Sequence, residues 1–312
     1  MECSHQGCPH PAIIDLPYAG SHLCKNHFRA FVEKRVRREL HRQAPGLNGG
    51  TLAVALSGGK DSSVMLALLV KFLGMRRNVK ILAITVDEGI QGYRSQTIAK
   101  ATELTQRLGI EHVIRTFNDE LRTTMDIAAK AIPNLAPCSS CGVWRRGVLN
   151  RAARDLGAVR LAVGFNLDDL AQTVLMNLLR GEPHRLIQMA PHVRKESDFV
   201  PRIAPLASIP EREVYLYATL QDLPFDHSEC PYATRAGRNV FRETLWRLEE
   251  ALPGTRHSIM QTREKLLQVL SASLPQTHAG RCALCGEPAA GTFCRSCSFL
   301  ESVQTARAPG QP

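Results

Sequence analysis

Apolar residues along this 312-residue chain come in short dense runs, separated by glycine, proline and charge. Leu52, Ala53, Val54, Ala55 and Leu56 form one such run, the pattern of a strand buried on both faces. Val64 to Leu73 is apolar nearly all round and predicts a buried helix. Ile81 to Val86 predicts a second strand, Ser95 to Leu108 a helix closed by Gly109, and His112 to Thr116 another strand. Leu161-Ala162-Val163-Gly164 reads as a strand ending in glycine. Leu170, Ala171, Val174, Leu175 and Leu178 then make the apolar stripe of a helix over Asp168 to Leu179. Repeated β–α alternation predicts an α/β fold with a doubly wound parallel sheet.

Outside this rhythm the pattern changes. Residues 182–202, rich in charge and proline, predict an insertion loop. A helix starts near Glu211, a loop over Pro224 to Tyr232 carries Cys230, and helices follow near Phe241–Ala251 and Thr255–Ser273. The residues after Cys297 are expected to fray. Ahead of the sheet, Phe28, Phe31, Val32, Val36 and Leu40 recur at helical spacing, with Lys34, Arg35, Arg37, Arg38 and Arg42 filling much of the remainder. That basic helix suits either RNA phosphates or a solvated face. The expected division is 1–28 a zinc module, 29–50 a basic helix and linker, 51–275 the nucleotide domain, and 276–312 a zinc ribbon and tail.

The first strand runs directly into Ser57, Gly58, Gly59, Lys60, Asp61 and Ser62. A helix start offers free N–H groups and a positive dipole end, and glycines let a phosphate approach the backbone. Lys60 adds a point charge and the serines add hydroxyl donors. The loop is therefore a candidate phosphate cradle at the carboxyl end of a strand, beside Ala55 and the glycine of the later strand, Gly164. It lacks the GxxxxGK[ST] spacing of a Walker A loop. The main chain near Thr85 and Val86, at the end of the second strand, is placed to meet an adenine.

The ten cysteines fall into three sets. Cys3-x4-Cys8 and Cys24-x2-His27 supply two ligand pairs for a tetrahedral zinc. Cys282-x2-Cys285 and Cys294-x2-Cys297 form a zinc ribbon pattern. Cys138, Cys141 and the distant Cys230 leave three chemistries open: a [4Fe–4S] cluster with one iron lacking a protein ligand, a persulfide carrier with a resolving cysteine, or a third zinc completed by a residue such as His227.

A 44% hydrophobic fraction supports a sizeable core, and no apolar run reaches transmembrane length. The N-terminus lacks the basic-then-apolar pattern of an export signal, so a cytoplasmic protein is expected. The net charge of +10 favours a polyanionic partner, for which RNA is the natural candidate, over a generally basic surface.

SGGKDS resembles the pyrophosphate loop (PP-loop) of ATP pyrophosphatases, of adenine nucleotide α-hydrolase-like fold. Together with CSSCGVWRRG at Cys138 to Gly147 and GFNLDDLAQTVLMNLLRG at Gly164 to Gly181, it resembles the TtuA/NcsA group of tRNA 2-thiouridine synthetases, over almost the whole chain. The resemblance implies ATP, Mg²⁺, two Zn²⁺ and a [4Fe–4S] cluster on Cys138, Cys141 and Cys230. It implies that Lys60 and Arg145 neutralise charge on the α-phosphate and pyrophosphate, and that Asp169 holds Mg²⁺ or orients the uridine. The plain alternative for Asp168, and more weakly for Asp169, is a helix N-cap. The implied partners are tRNA and either a ubiquitin-like thiocarboxylate carrier or free sulfide, and members are often homodimers. VLMNLLRG looks more like the wobble-uridine branch than the T-loop branch. Two departures stand out: Phe165 replaces the family histidine, and Arg145 stands where some members have lysine. The rival readings are a tRNA 2-thiocytidine synthetase, which the terminal zinc modules oppose, a zinc-containing RNA-binding protein with a degenerate ATP site, which the intact loop opposes, and an amide ligase, for which no glutaminase domain is seen.

Overall fold

The computed structural model describes residues 1–187, 189–191, 199–235, 237–273 and 280–307. The chain opens with a hairpin, β1 (Ile14–Leu16) and β2 (Ser21–Leu23), paired antiparallel with Ile14 opposite Leu23. The helix α1 (Lys25–Gln43) follows, with Phe28, Val32 and Val36 fully buried on one stripe. Arg35 on the same helix is buried too, and is paired with buried Glu213 at 2.9 Å. The helix predicted over residues 28–42 is thus packed against the nucleotide domain, although its exposed side remains basic.

The sheet is built from β3 (Gly50–Ala55), β4 (Val79–Asp87), β5 (Glu111–Thr116), β6 (Ala158–Ala162) and β7 (Arg202–Ile203), in the order β5-β4-β3-β6-β7, and every pair is parallel. Alternate residues serve opposite faces, as strand geometry requires. Leu52, Val54, Ile81 and Ala83 join the core beneath α1 and α2 (Lys60–Leu73), whereas Ala53, Leu82, Ile84 and Leu161 face a second core on the other side. The strand order reverses between β3 and β6, the switch point where open α/β sheets bind ligands at their carboxyl ends.

Helix α3 (Arg94–Leu108) ends at Gly109, whose left-handed backbone closes it. The short helices α4 (Phe117–Leu121) and α5 (Met125–Ala131) lead to α6 (Pro137–Asp155), which carries Cys138 and Cys141 on its first turns. Helix α7 (Leu167–Leu179) follows β6, α8 (Glu211–Leu220) follows β7, and α9 (Asn239–Ala251) and α10 (Thr255–Ser273) pack on α7. The C-terminal ribbon consists of β8 (Gly280–Arg281), β9 (Pro288–Ala289) and α11 (Arg295–Arg307).

Three expectations need correction. The stretch 182–202 is not merely a loop: it includes a 3-10 turn at Pro183–Leu186, and its last residue begins β7, the fifth strand. Two residues are too short a strand to leave a period in the sequence, and Gln188 and residues 192–198 lie outside the described residues. The residues after Cys297 do not fray as far as Arg307: Val303 is buried, and Phe299 meets the fully buried Trp144 edge-on at 6.4 Å. The Trp144 Nε1–H also donates to the Ser296 carbonyl at 3.1 Å, which docks the ribbon on α6. Residues 308–312 lie outside the described residues. Asp168 does not cap α7; that position belongs to Asn166.

Candidate active site

At the carboxyl end of β3 the chain turns through Ser57, Gly58 and Gly59 into α2. Gly58 has φ +86°, and a Cβ there would lie 1.9 Å from the Thr97 carbonyl oxygen, so only glycine fits. No side chain caps α2 at Gly59, which leaves its first N–H groups directed at the loop. Ser62 closes the turn from within. Its Oγ accepts from the Ser57 N–H at 3.1 Å and donates to the Gly59 carbonyl at 3.0 Å. Across the switch point, a Cβ on Gly164 would lie 3.1 Å from the Ser62 nitrogen, so this glycine lets the loop after β6 close on the start of α2.

Charged groups converge here. Lys60 Nζ lies 3.0 Å from Asp61 and 2.8 Å from Glu211. Burial alone would depress its ammonium, but the two carboxylates outweigh burial and raise its pKa. Asp61 also accepts from Asn166 Nδ2 at 2.9 Å. Asn166 and Asp169 form a reciprocal capping box on α7. Burial, reinforced by Asp61 and Glu211 and opposed by Arg238, pushes the Asp169 carboxyl up to about 6. Asp168 accepts from the Glu211 N–H at 2.8 Å and pairs with Arg256 at 3.1 Å, so it ties α7 to α8 and α10.

Ala55 ends β3 beside the loop. Thr85 is fully buried, and its hydroxyl donates to the Leu56 carbonyl at 2.6 Å, so its side chain secures the sheet. The Val86 carbonyl accepts from Arg94 Nη2.

Cys138 is exposed on the first turn of α6, Cys141 is buried one turn on, and Cys230 arrives half-buried from the loop before α9. Burial raises the Cys141 and Cys230 thiols, and Arg145 opposes this in both. Arg145 Nη2 donates to Cys141 Sγ at 3.5 Å. His227, the alternative zinc ligand, instead packs against Phe225, with ring centroids 4.6 Å apart.

Two links missed in the sequence join the thiols to the phosphate loop. The first is Glu88, buried at the end of β4, which pairs with Arg94 at 2.6 Å and Arg145 at 3.3 Å. Arg94 in turn donates to the Ser57 carbonyl at 3.2 Å, so the chain Ser57–Arg94–Glu88–Arg145–Cys141 is continuous. The second is the Asp226 N–H, which donates to the Gly58 carbonyl at 2.9 Å and sets the segment leading to Cys230 alongside the loop. The polar residues after the Ile81–Val86 run were the only visible hint of the first; nothing local marks the second.

The terminal sets are of another kind. The ligand atoms of Cys3, Cys8, Cys24 and His27 all lie within 4.8 Å of one another, as do those of Cys282, Cys285, Cys294 and Cys297. Cys8 and Cys24 sulfurs are 3.8 Å apart and Cys285 and Cys294 sulfurs 3.6 Å. A tetrahedral zinc with Zn–S bonds of about 2.3 Å requires sulfurs about 3.8 Å apart, so both sets fit zinc. In each set backbone N–H groups favour the thiolate at one cysteine: hydrogen bonding led by Cys294 N–H draws Cys282 down to about 6. Cys3 is likewise drawn down to about 6, against the opposing effect of burial, by bonds led by Cys24 N–H. Among the described residues, Cys138, Cys141 and Cys230 do not bring their sulfurs within 4.8 Å of one another.

A PP-loop domain model matches residues 32–249, and a model of the N-terminal LIM domain of 2-thiouridine synthetase TtuA matches residues 3–29. The tRNA 2-thiolation protein NcsA of Haloferax volcanii is 40% identical over 97% of this chain and 99% of its own length. The chain belongs to the PP-loop family of tRNA 2-thiolation proteins. Another member, cytoplasmic tRNA 2-thiolation protein 1 of Saccharomyces cerevisiae, is 33% identical over 95% of this chain and 85% of its own. The solved structure of the U34-tRNA thiolase NcsA from Methanococcus maripaludis with its [4Fe–4S] cluster superposes with a TM-score of 0.84, at 36% identity, over 95% of both chains. Phe165, the position set apart in the sequence by its departure from histidine, is partly buried and packs against the second core.

Proposed function

We infer that this chain is an ATP-dependent tRNA uridine 2-sulfurtransferase. The observation that carries the reading is the juxtaposition of two sites: the Glu88 network joins the phosphate cradle to Cys141, and the Asp226–Gly58 contact sets the segment leading to Cys230 alongside the cradle. The relatives, named as tRNA 2-thiolation proteins, supply the substrate class, and the names of several place them in the cytoplasm.

ATP phosphates would sit in the Ser57 to Ser62 loop, on the free N–H groups at the start of α2, with Lys60 released from Glu211 to neutralise the β- and γ-phosphates. Asp61 and Asp169, held near one another by Asn166, would share Mg²⁺ with the phosphate oxygens. The uridine O2 attacks the α-phosphate and pyrophosphate leaves, with Arg145 offsetting charge that builds on the phosphoryl oxygens. The resulting O2-adenylate is a good leaving group. A sulfur nucleophile then adds at C2 and AMP departs with the former O2. A [4Fe–4S] cluster on Cys138, Cys141 and Cys230 would supply that sulfur at the iron without a protein ligand. A thiocarboxylate carrier or free sulfide would renew it. Zinc on the terminal sets is structural, because four protein ligands leave no open position. The VLMNLLRG segment and the U34 specificity in the name of the solved relative both support the wobble uridine as target.

The test is anaerobic incubation with tRNA, ATP, Mg²⁺ and sulfide, followed by nucleoside mass spectrometry and measurement of pyrophosphate release. The reading expects 2-thiouridine and tRNA-dependent pyrophosphate. ATP turnover indifferent to tRNA, with no thionucleoside, would contradict it.

A further inference from the structure

The mechanism leaves one charged surface unused. Lys34, Arg37, Arg38 and His41 follow one another at the i, i+3, i+4 and i+7 positions of α1, so they form a single stripe on that helix. All four are exposed and make no ion pair among the described residues; Arg37 lies over the ring of Phe72 at 4.7 Å. The stripe forms one wall of a groove of about 970 Å³. The last turn of α2, exposed Arg76 and Leu47 line it as well. Among the described residues no carboxylate lines it. The other basic residue of the groove, Arg35, is committed to Glu213 and does not contribute.

The groove also has a definite position. It lies where α2 ends and β3 begins, at the amino-terminal edge of the sheet, whereas the phosphate cradle lies where α2 starts. The 14 residues of α2 separate the two by about 20 Å at 1.5 Å per residue. A single nucleotide bound at the cradle cannot reach the groove; a folded RNA several helical turns long can.

We propose that this groove holds the phosphate backbone of the tRNA body at a distance from the reacting uridine, and so supplies affinity without touching the chemistry. The proposal rests on the thiolase reading for its substrate and adds a docking surface to it. Unpaired guanidinium and ammonium groups in a concave, carboxylate-free surface match a polyanion that sheds counterions on binding. An apolar partner face would leave these cations desolvated and unpaired, which disfavours it.

The experiment compares the triple variant Lys34→Gln/Arg37→Gln/Arg38→Gln with a control of equal charge loss, Lys100→Gln/Arg247→Gln/Lys265→Gln, on other surfaces. Binding of full-length tRNA is measured across a salt series, together with kcat and KM for tRNA and binding of ATP alone. The groove variant is expected to raise Kd and KM for tRNA at least tenfold at 150 mM salt. The slope of log K against log salt should fall by about 2, at roughly 0.7 to 0.9 for each phosphate that the variant no longer neutralises. Its kcat at saturating tRNA and its ATP affinity should match the native chain, and the control should match it throughout. Equal tRNA affinity and equal salt slope in the groove variant and the control would overturn the groove proposal while leaving the thiolase reading intact. Absence of tRNA binding and thiolation by the native chain would instead sink the reading on which it rests.

Discussion

At the two ends of the chain, cysteine and histidine atoms converge within 4.8 Å on hairpins of a few residues, and each set carries its own four ligands. In the middle, three thiols come from two separate segments, and the groups beside them are two arginines and a buried glutamate drawn from the sheet. The terminal sites are therefore local, closed and held by short-range backbone contacts. The central site is assembled by tertiary structure, has only three thiols and borders the phosphate loop. Closed sets of four stabilise a module; an open set of three beside a nucleotide can exchange atoms.

Breaking one site of each kind gives the largest contrast. Cys230→Ala is expected to reduce thiolation by at least about a thousandfold, since the effect is loss of the sulfur-bearing group rather than of a single hydrogen bond. Its zinc content and melting temperature should stay close to native. Cys24→Ala should do the reverse in kind: it should lose one zinc and unfold the N-terminal hairpin, because metal binding and folding are linked in such modules. Zinc analysis and calorimetry on both variants check the pair. Equal loss of zinc from both would erase the distinction.

Next in size is the phosphate loop. Lys60→Ala should lower kcat/KM for ATP by about 10² to 10³, the range for removing one group that stabilises developing charge. Steady-state pyrophosphate release measures it. Glu88→Gln sharpens the link between the two regions. It leaves Arg94 buried without its partner, at a cost of about 2 to 4 kcal/mol in stability. It also frees Arg145 from one side, so thiolation should fall by about 10- to 100-fold while both zincs remain. A variant that is destabilised but turns over tRNA at the native rate would show Glu88 to be structural alone.

The smallest effect is on stability and pH. The Asp169 carboxyl titrates at about 6 in the folded chain, above the ordinary carboxylate value near 4. The folded state therefore binds this proton more tightly than the unfolded state, and the associated stability is present below about pH 4 and lost as pH rises through 6. Asp169→Asn should raise stability at pH 7.5 by about 1 to 2 kcal/mol, after allowance for partial solvent access, and give no gain at pH 4. The same variant should lose activity, since the ionised group is the one the reaction uses. Melting curves at the two pH values, paired with turnover, provide the check.

What could be read from the sequence divides along the same line. Ser57 to Ser62 and the terminal ligand pairs were legible because their chemistry is carried by residues close together in sequence. The spacing of Cys138, Cys141 and Cys230 left three chemistries open because the partners that distinguish them are distant in sequence. Glu88, Arg94 and Asp226 were invisible as site residues because sheet order, not spacing, brings them together. Helix α6 was hidden for a local reason: Gly142, Gly147 and a pair of arginines dilute the stripe of Cys141, Trp144, Val148 and Ala152. The docked C-terminal helix depended on Trp144, a residue whose partner, Phe299, lies in the tail.

The measurement that tests the contrast most directly is a count of iron, acid-labile sulfide and zinc per chain after anaerobic purification. The account predicts about four irons, about four sulfides and two zincs, with the iron and sulfide lost and the zincs kept in Cys230→Ala. About three zincs and no iron, even after anaerobic reconstitution, would contradict it and make the central cysteines a third structural site.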